Sequence, residues 1–234
     1  MKLVRFAPLL LAASIGLTGC LQTKPVTLYR LDNGDPQMPE RSTGAAVLVE
    51  SVKLADYLQG DGIVQRMADG SLRVDRAQGR WAGSLAEDID QLMLRQLAAQ
   101  LNSQDLSLPP VQQGFSPELK VELSVTRLDS GPEQPAVLEA RWRLFDKDGR
   151  QQASRLVRLQ EAHDGTTADQ VRAQSELLQR LSQDLASAMQ PSLAKAKSRA
   201  DASAQKKSPS SQERTEDTAR PVVPLRTEME VFRF

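Results

Sequence analysis

The chain holds one thiol, and the residues around it suit one kind of chemistry. Cys20 closes the run Leu17-Thr18-Gly19-Cys20. A thiol is a nucleophile that can be alkylated through sulfur. Two small residues precede it. Lys2 and Arg5 give the chain a short positive start, and Phe6 to Leu17 follows as an apolar stretch interrupted by Pro8, Ser14 and Gly16. At about twelve residues it is too short to span a bilayer, which takes roughly 20. With one Cys and one His, the sequence supports neither a disulfide framework nor an internal Cys/His metal site.

The Leu-Thr-Gly-Cys run, with the segments before it, resembles the bacterial lipobox. That resemblance implies cleavage before Cys20, with residues 1–19 as a signal peptide and residues 20–25 as a lipidated tether. Each buried CH₂ contributes about 0.8 kcal/mol, so two or three acyl chains on Cys20 would hold the protein on a membrane without spanning it. Leu21, rather than Asp, follows the thiol. By analogy with enteric sorting this favours the outer membrane, on its periplasmic face. Losing Lys2 and Arg5 from 30 basic residues leaves 28 against 30 acidic ones, a mild negative balance.

Other chemistry is sparse. Formal charge is zero, and nine aromatics make up 4% of the chain, which argues against nucleic acid as a partner. His163, the only His, precedes Asp164-Gly165 and reads as an exposed loop residue. No Gly-x-Ser-x-Gly accompanies it, so a tethered hydrolase has no visible machinery. Glu87, Asp88 and Asp90 fall in the first turns of a predicted helix, where acids favour the positive end of the dipole. No phosphate-binding glycine loop occurs, and no cofactor is expected. Tyr57, Arg80 and Trp81 are the candidate partner-binding residues. Trp and Arg are typical interface anchors. Trp81 would serve equally well as a staple at the helix entry, and Tyr57 as packing under a loop.

The elements that must position these residues are legible in part. Val26 to Leu31 has β propensity, and Ala46 to Val52 is apolar enough for a central strand. Ile63–Met67 and Ser71–Asp75 flank Asp69-Gly70 as a hairpin. Gly83 to Leu101 reads as a helix. Ser84 and Glu87 form its capping box, and Leu85, Ile89, Leu92, Met93, Leu97 and Leu101 its buried stripe. Glu118–Leu128, Val137–Phe145 and Ala153–Glu161 alternate as three strands of an antiparallel meander. A second helix runs from about Ala168 to Gln190, with Thr167 and Gln170 as its capping box. Val171, Gln174, Leu178, Leu181, Leu185 and Met189 face its core side, and Pro191 closes it. From residue 191 on, Ser, Ala, Lys, Gln and acids dominate, and the segment 191–234 reads as a low-complexity, disordered tail or a frayed extension of the helix. Glu228 to Phe234 regains apolar character and would suit an edge strand or a partner groove. The expected fold is α+β over residues 26–190: a mixed, mostly antiparallel sheet with two amphipathic helices packed on one face.

Several segments together resemble one family. They are the lipobox; Leu28-Tyr29-Arg30-Leu31; Val49 to Leu58 with its Leu54-Ala55-Asp56-Tyr57-Leu58; Ile63-Val64-Gln65-Arg66; and Arg80-Trp81-Ala82-Gly83-Ser84-Leu85. The series is similar to the ABC-type transport auxiliary lipoproteins of the PqiC (YmbA) type. It covers the N-terminal half of the globular unit well, and the rest in layout; residues beyond Pro191 are not covered. The resemblance implies a non-catalytic subunit of a lipid-trafficking system that supports membrane integrity. Its partners would be an MCE-domain protein bridging the periplasm and inner-membrane transporter components, and it would form a homo-oligomeric ring docking the distal end of the MCE tunnel. The alternative is a stand-alone periplasmic lipid-binding or structural envelope lipoprotein.

Overall fold

Short β-prone runs separated by turn residues precede the first helix. In the computed structural model, which describes residues 25–40 and 45–207, they are β1 (Leu28–Tyr29), β2 (Val47–Val49), β3 (Lys53–Leu54), β4 (Val64–Arg66), β5 (Leu72–Val74) and β6 (Arg80–Trp81). A 3₁₀ turn, Asp56–Leu58, follows β3. Then come α1 (Leu85–Leu101), β7 (Leu106–Ser107), β8 (Leu119–Gly131), β9 (Gln134–Asp146), β10 (Gln151–Glu161) and α2 (Thr167–Lys207). Cys20 with its lipobox, the tether up to Lys24 and residues 208–234 lie outside the described residues.

The long alternating strands build the sheet. β8, β9 and β10 form the expected antiparallel meander, with Leu123 opposite Trp142 and Trp142 opposite Arg155. On the other side of β8 the partners are parallel: β2, β3 and β4 pair with successive stretches of that one strand. The sheet is therefore mixed. β4 and β5 close the hairpin over Asp69-Gly70, where Gly70 takes φ +84°.

Alternation gives the sheet one apolar face. Leu119, Val121, Leu123 and Val125 of β8 and Leu138, Ala140, Trp142 and Leu144 of β9 are buried, as are the predicted stripes of both helices. All of them except Gln174, which is buried but polar, belong to one core cluster. The fold is α+β, with two helices covering one face of a mixed sheet.

Local chemistry sets the helix ends. Ser84 caps α1 by accepting from Glu87 N–H at 3.4 Å, and Asn102 ends it in the left-handed conformation at φ 49°. At α2 the cap sits one residue earlier than Thr167. Thr166 Oγ1 accepts from Asp169 N–H at 3.1 Å and donates to Asp169 Oδ2 at 2.6 Å. Gln170 instead turns its side chain inward and donates to Gly165 O at 2.8 Å. Pro191 does not close α2: the helix passes through it to Lys207. Proline removes one backbone donor, but position 191 is exposed, so water can satisfy the freed carbonyl of Ser187. The chain divides into two compact units, Met1–Ala194 and Lys195–Phe234; the described part of the second is the helical stretch 195–207.

Among the described residues no helix is long and apolar enough to cross a membrane.

One glycine is required by packing. A Cβ on Gly131, the last residue of β8, would fall 1.9 Å from Arg66 O and 3.0 Å from its carbonyl carbon, both backbone atoms. Gly131→Ala must push β4 off the end of β8. Overpacking of this kind costs about 2–3 kcal/mol, and urea denaturation should show the midpoint falling accordingly.

Candidate functional site

Of the residues that sequence reading singles out, Tyr57 lies beside the end of β8, and Arg80 and Trp81 lie on β6. Tyr57 sits in the 3₁₀ turn and is partly buried against the core. Its hydroxyl donates to Asp129 Oδ2 at 2.9 Å. β8 shifts register between Val125 and Arg127 and again between Asp129 and Gly131. Bulges re-aim side chains, and here Asp129 is fully enclosed, at 0% exposure. Arg66 on β4 grips it with both arms, Nε to Oδ1 at 3.0 Å and Nη2 to Oδ2 at 2.7 Å. Arg127 adds Nε to Oδ1 at 2.9 Å. One buried carboxylate thus ties together the 3₁₀ turn, the β4–β5 hairpin and the bulged end of β8.

Electrostatics follow from that geometry. Burial alone pushes the Asp129 carboxyl up, but the bonds from Arg66, Tyr57 and Arg127 outweigh it and hold the group below the usual carboxylate range. Tyr57 is pushed up to about 12, by burial first and then by the adjacent Asp129 charge. A phenol raised in the folded state contributes stability that is complete below about pH 10 and is lost as pH rises through the folded value. Subtracting the alkaline phenolate absorbance of Tyr57→Phe from that of the unaltered chain should leave a step near pH 12. A step near the ordinary tyrosine value would contradict this environment.

Behind this cluster lies a buried amide network. Gln170 Oε1 accepts from Gln65 Nε2 and Ser130 Oγ, each at 3.2 Å, and Gln174 Nε2 donates to Ser130 Oγ at 3.1 Å. It joins β4, β8 and α2.

Arg80 and Trp81 form β6, which pairs in parallel with β1, Tyr29 opposite Trp81. Alternation separates them. The Trp81 indole is in the core at 6% exposure. The Arg80 side chain is 42% exposed, with Nη1 3.7 Å from Asp61 Oδ2. Packing is therefore what Trp81 does within this chain, while Arg80 reaches the surface. Tyr57 and Arg80 have different partners, Asp129 for the one and Asp61 for the other.

The acids of α1 do more than meet the helix dipole. Asp88 is buried, and Arg30 donates to its Oδ1 through Nε at 3.0 Å and Nη2 at 2.6 Å, fastening the chain after β1 to α1. Asp90 Oδ1 accepts from Val52 N–H at 2.8 Å. His163 is half-buried rather than simply exposed. Gly165 N–H donates to its Nδ1 at 3.0 Å, so Nε2 carries the proton and donates to Gln134 O at 2.9 Å. Both ring nitrogens are spent on backbone, which leaves neither for general-base work.

The opposite face of the sheet is polar and open. A groove of about 780 Å³ runs over it, lined by Glu50, Lys53, Glu122, Arg141, Arg143 and Leu156 among others. Glu122 is held by Arg143 at 2.6 Å and Lys120 at 3.0 Å, and Lys120 sits 4.9 Å over the Phe145 ring. Among the described residues no group of three or more His, Cys, Asp or Glu could hold a metal ion.

Comparison with known proteins gives this arrangement its place. Residues 29–186 match the family model described as the ABC-type transport auxiliary lipoprotein component. The chain belongs to that family. The match runs from Tyr29 in β1 to Ala186 in α2, and takes in Tyr57, Arg66, Arg80, Trp81 and Asp129. No curated protein matched. Among solved structures, an uncharacterized protein aligns with a TM-score of 0.56 and 19% identity, covering 70% of this chain and 97% of the other. A Xanthomonas campestris protein of the DUF330 family model aligns with a TM-score of 0.53 and 21% identity, covering 69% and 88%. These likenesses show a shared fold. A PelC dodecamer from Paraburkholderia phytofirmans aligns at 0.40 with 13% identity, covering 67% and 93%. In this auxiliary lipoprotein component a buried carboxylate that sequence reading did not single out joins the 3₁₀ turn, β4 and the end of β8. The available signal was Arg127-Leu128-Asp129-Ser130-Gly131, where apolar alternation breaks at the end of a strand.

Proposed function

We propose that this auxiliary lipoprotein is anchored to the periplasmic face of the outer membrane by acyl chains on Cys20. There it serves an ABC/MCE-type intermembrane lipid transport system as a non-catalytic subunit. In this reading it docks the periplasm-spanning MCE component as a homo-oligomeric ring, supports membrane integrity, and meets the inner-membrane transporter through that component. The observation that carries the reading is the family match over residues 29–186 beginning nine residues after a lipobox cysteine. The commitment of both His163 nitrogens to backbone supports a docking role over a chemical one. Of the candidate partner-binding residues, Arg80 reaches the surface with 42% of its side chain exposed and would make its contact at the anchored end of the fold; Tyr57 and Trp81 would act by holding that end in shape.

The test is genetic. Deleting the gene should sensitise the envelope to detergents. Restoring the unaltered chain should repair the barrier, and restoring Cys20→Ala at equal expression should not. An intact barrier in the deletion strain, or full repair by Cys20→Ala, would overturn the reading. The alternative, a stand-alone lipid-binding or structural envelope lipoprotein, predicts a monomeric native mass in detergent where the ring predicts a multiple.

A further inference from the structure

Leu28 on β1 and Leu72 and Val74 on β5 are among the large apolar side chains left exposed on the surface. Leu28 is 62% exposed, Leu72 43% and Val74 44%. Backbone register gathers them. Leu28 lies opposite Arg80 in the β1–β6 pair, and Arg80 is bridged in turn to Gly62. A Cβ on Gly62 would run into Val74 Cγ1 at 2.1 Å, so Val74 lies over Gly62. Residues opposite one another on paired strands project to the same side. Leu28, Arg80 and Val74 therefore share one face, and Leu72, two residues along β5 from Val74, lies on that same side. At its rim, Arg76 and Arg80 share the carboxylate of Asp61, at 2.8 and 3.7 Å.

The position of this patch in the chain says what covers it. The described chain begins at Pro25, five residues after Cys20. Five residues reach at most about 18 Å, whereas a domain of this length is about 40 Å across. The end of the domain that carries β1 is thus the end held beside the anchor. The geometry points to Leu28, Leu72 and Val74 as a membrane-facing surface, seated on the phospholipid bilayer that holds the acyl chains of Cys20. Arg76 and Arg80 lie at the level of the lipid phosphates. The inference rests on the anchoring reading given above and adds the orientation of the protein on its membrane. Apolar side chains enter the interfacial zone, and guanidinium groups favour anionic headgroups there. The tether keeps them close to both.

Because Cys20 is the only cysteine and is alkylated in the anchored protein, an introduced cysteine is the single free thiol. Leu28→Cys, Leu72→Cys and Val74→Cys place it on the proposed face. Val111→Cys and Leu156→Cys, at 46% and 71% exposed sites elsewhere, are controls. The full lipidated chain, labelled with a fluorophore, is incorporated into phosphatidylethanolamine–phosphatidylglycerol vesicles, some lipids carrying a nitroxide near the glycerol. The three face positions should be quenched about twofold or more and the controls little, as insertion into the interface requires. Flotation with the vesicles together with equal quenching at all five positions would overturn the membrane-facing surface and leave the anchor standing. Face positions shielded from aqueous iodide in detergent and unquenched in vesicles would assign the patch to a protein contact, which also overturns it. Failure to float would sink the anchoring reading, and this inference with it.

Discussion

Asp129→Ala should cost about 3–5 kcal/mol, a large part of the stability of a domain this size. Removal of the carboxylate leaves Arg66 and Arg127 facing each other with nothing between them. Their side chains are 25% and 21% exposed, so water can reach them only in part. The Tyr57 hydroxyl loses its acceptor as well. Because a quarter of Arg66 stays wet, the lower half of that range is expected, read as a fall in the urea midpoint. Asp129→Asn keeps an acceptor and loses the charge, so it should fall between the two. The pH dependence follows from the depressed carboxyl. Its contribution is complete above about pH 4 and is lost as pH falls through the lower folded value. Asp129→Asn should therefore flatten the acid limb of the stability curve below about pH 4. An Asp129→Ala chain as stable as the parent would show that the Arg66–Asp129–Tyr57 cluster does not hold the hairpin to the sheet.

Cys20→Ala should move the protein from the membrane fraction to the soluble one almost completely. The acyl chains carry the attachment: each buried CH₂ contributes about 0.8 kcal/mol, and a single chain already gives marginal binding. No helix among the described residues replaces them. The released variant, cut at another site and without acyl chains, should show both changes by intact mass. Substitutions at Leu28 or Val74 should leave the fractionation of the lipidated chain unchanged, since acyl burial outweighs three partly exposed side chains. Retention of Cys20→Ala on membranes at the parental level would show that another contact holds it there.

Much of the architecture was legible because its signals are local. Ser84 starts α1 through a bond to a residue three positions on, and the stripe from Leu85 to Leu101 repeats within one helix. The meander shows in alternation along β8, β9 and β10, joined by short turns. What escaped reading depends on distant pairs. The parallel docking of β2, β3 and β4 along β8 joins residues that no periodicity connects, such as Gln65 with Ser130. Arg66 and Asp129 are 63 positions apart, so neither marks the other in sequence. At Pro191 the usual stop signal failed because an exposed helix face tolerates a missing donor; at Thr166 the cap fell one residue from Thr167 because the two hydroxyls are equivalent by type. Of the candidate residues, Trp81 and Tyr57 carried both a packing and a docking meaning in sequence, and only the alternation of β6 separated Trp81 from Arg80.

Docking of a periplasm-spanning partner by the anchored subunit can be read by crosslinking in living cells, followed by purification of the lipidated chain and mass spectrometry of what comes with it. An MCE-domain protein should be among the crosslinked species, and should be lost when Cys20→Ala frees the chain. Recovery of the chain crosslinked only to itself or to unrelated envelope proteins, at the same yield from Cys20→Ala, would contradict it.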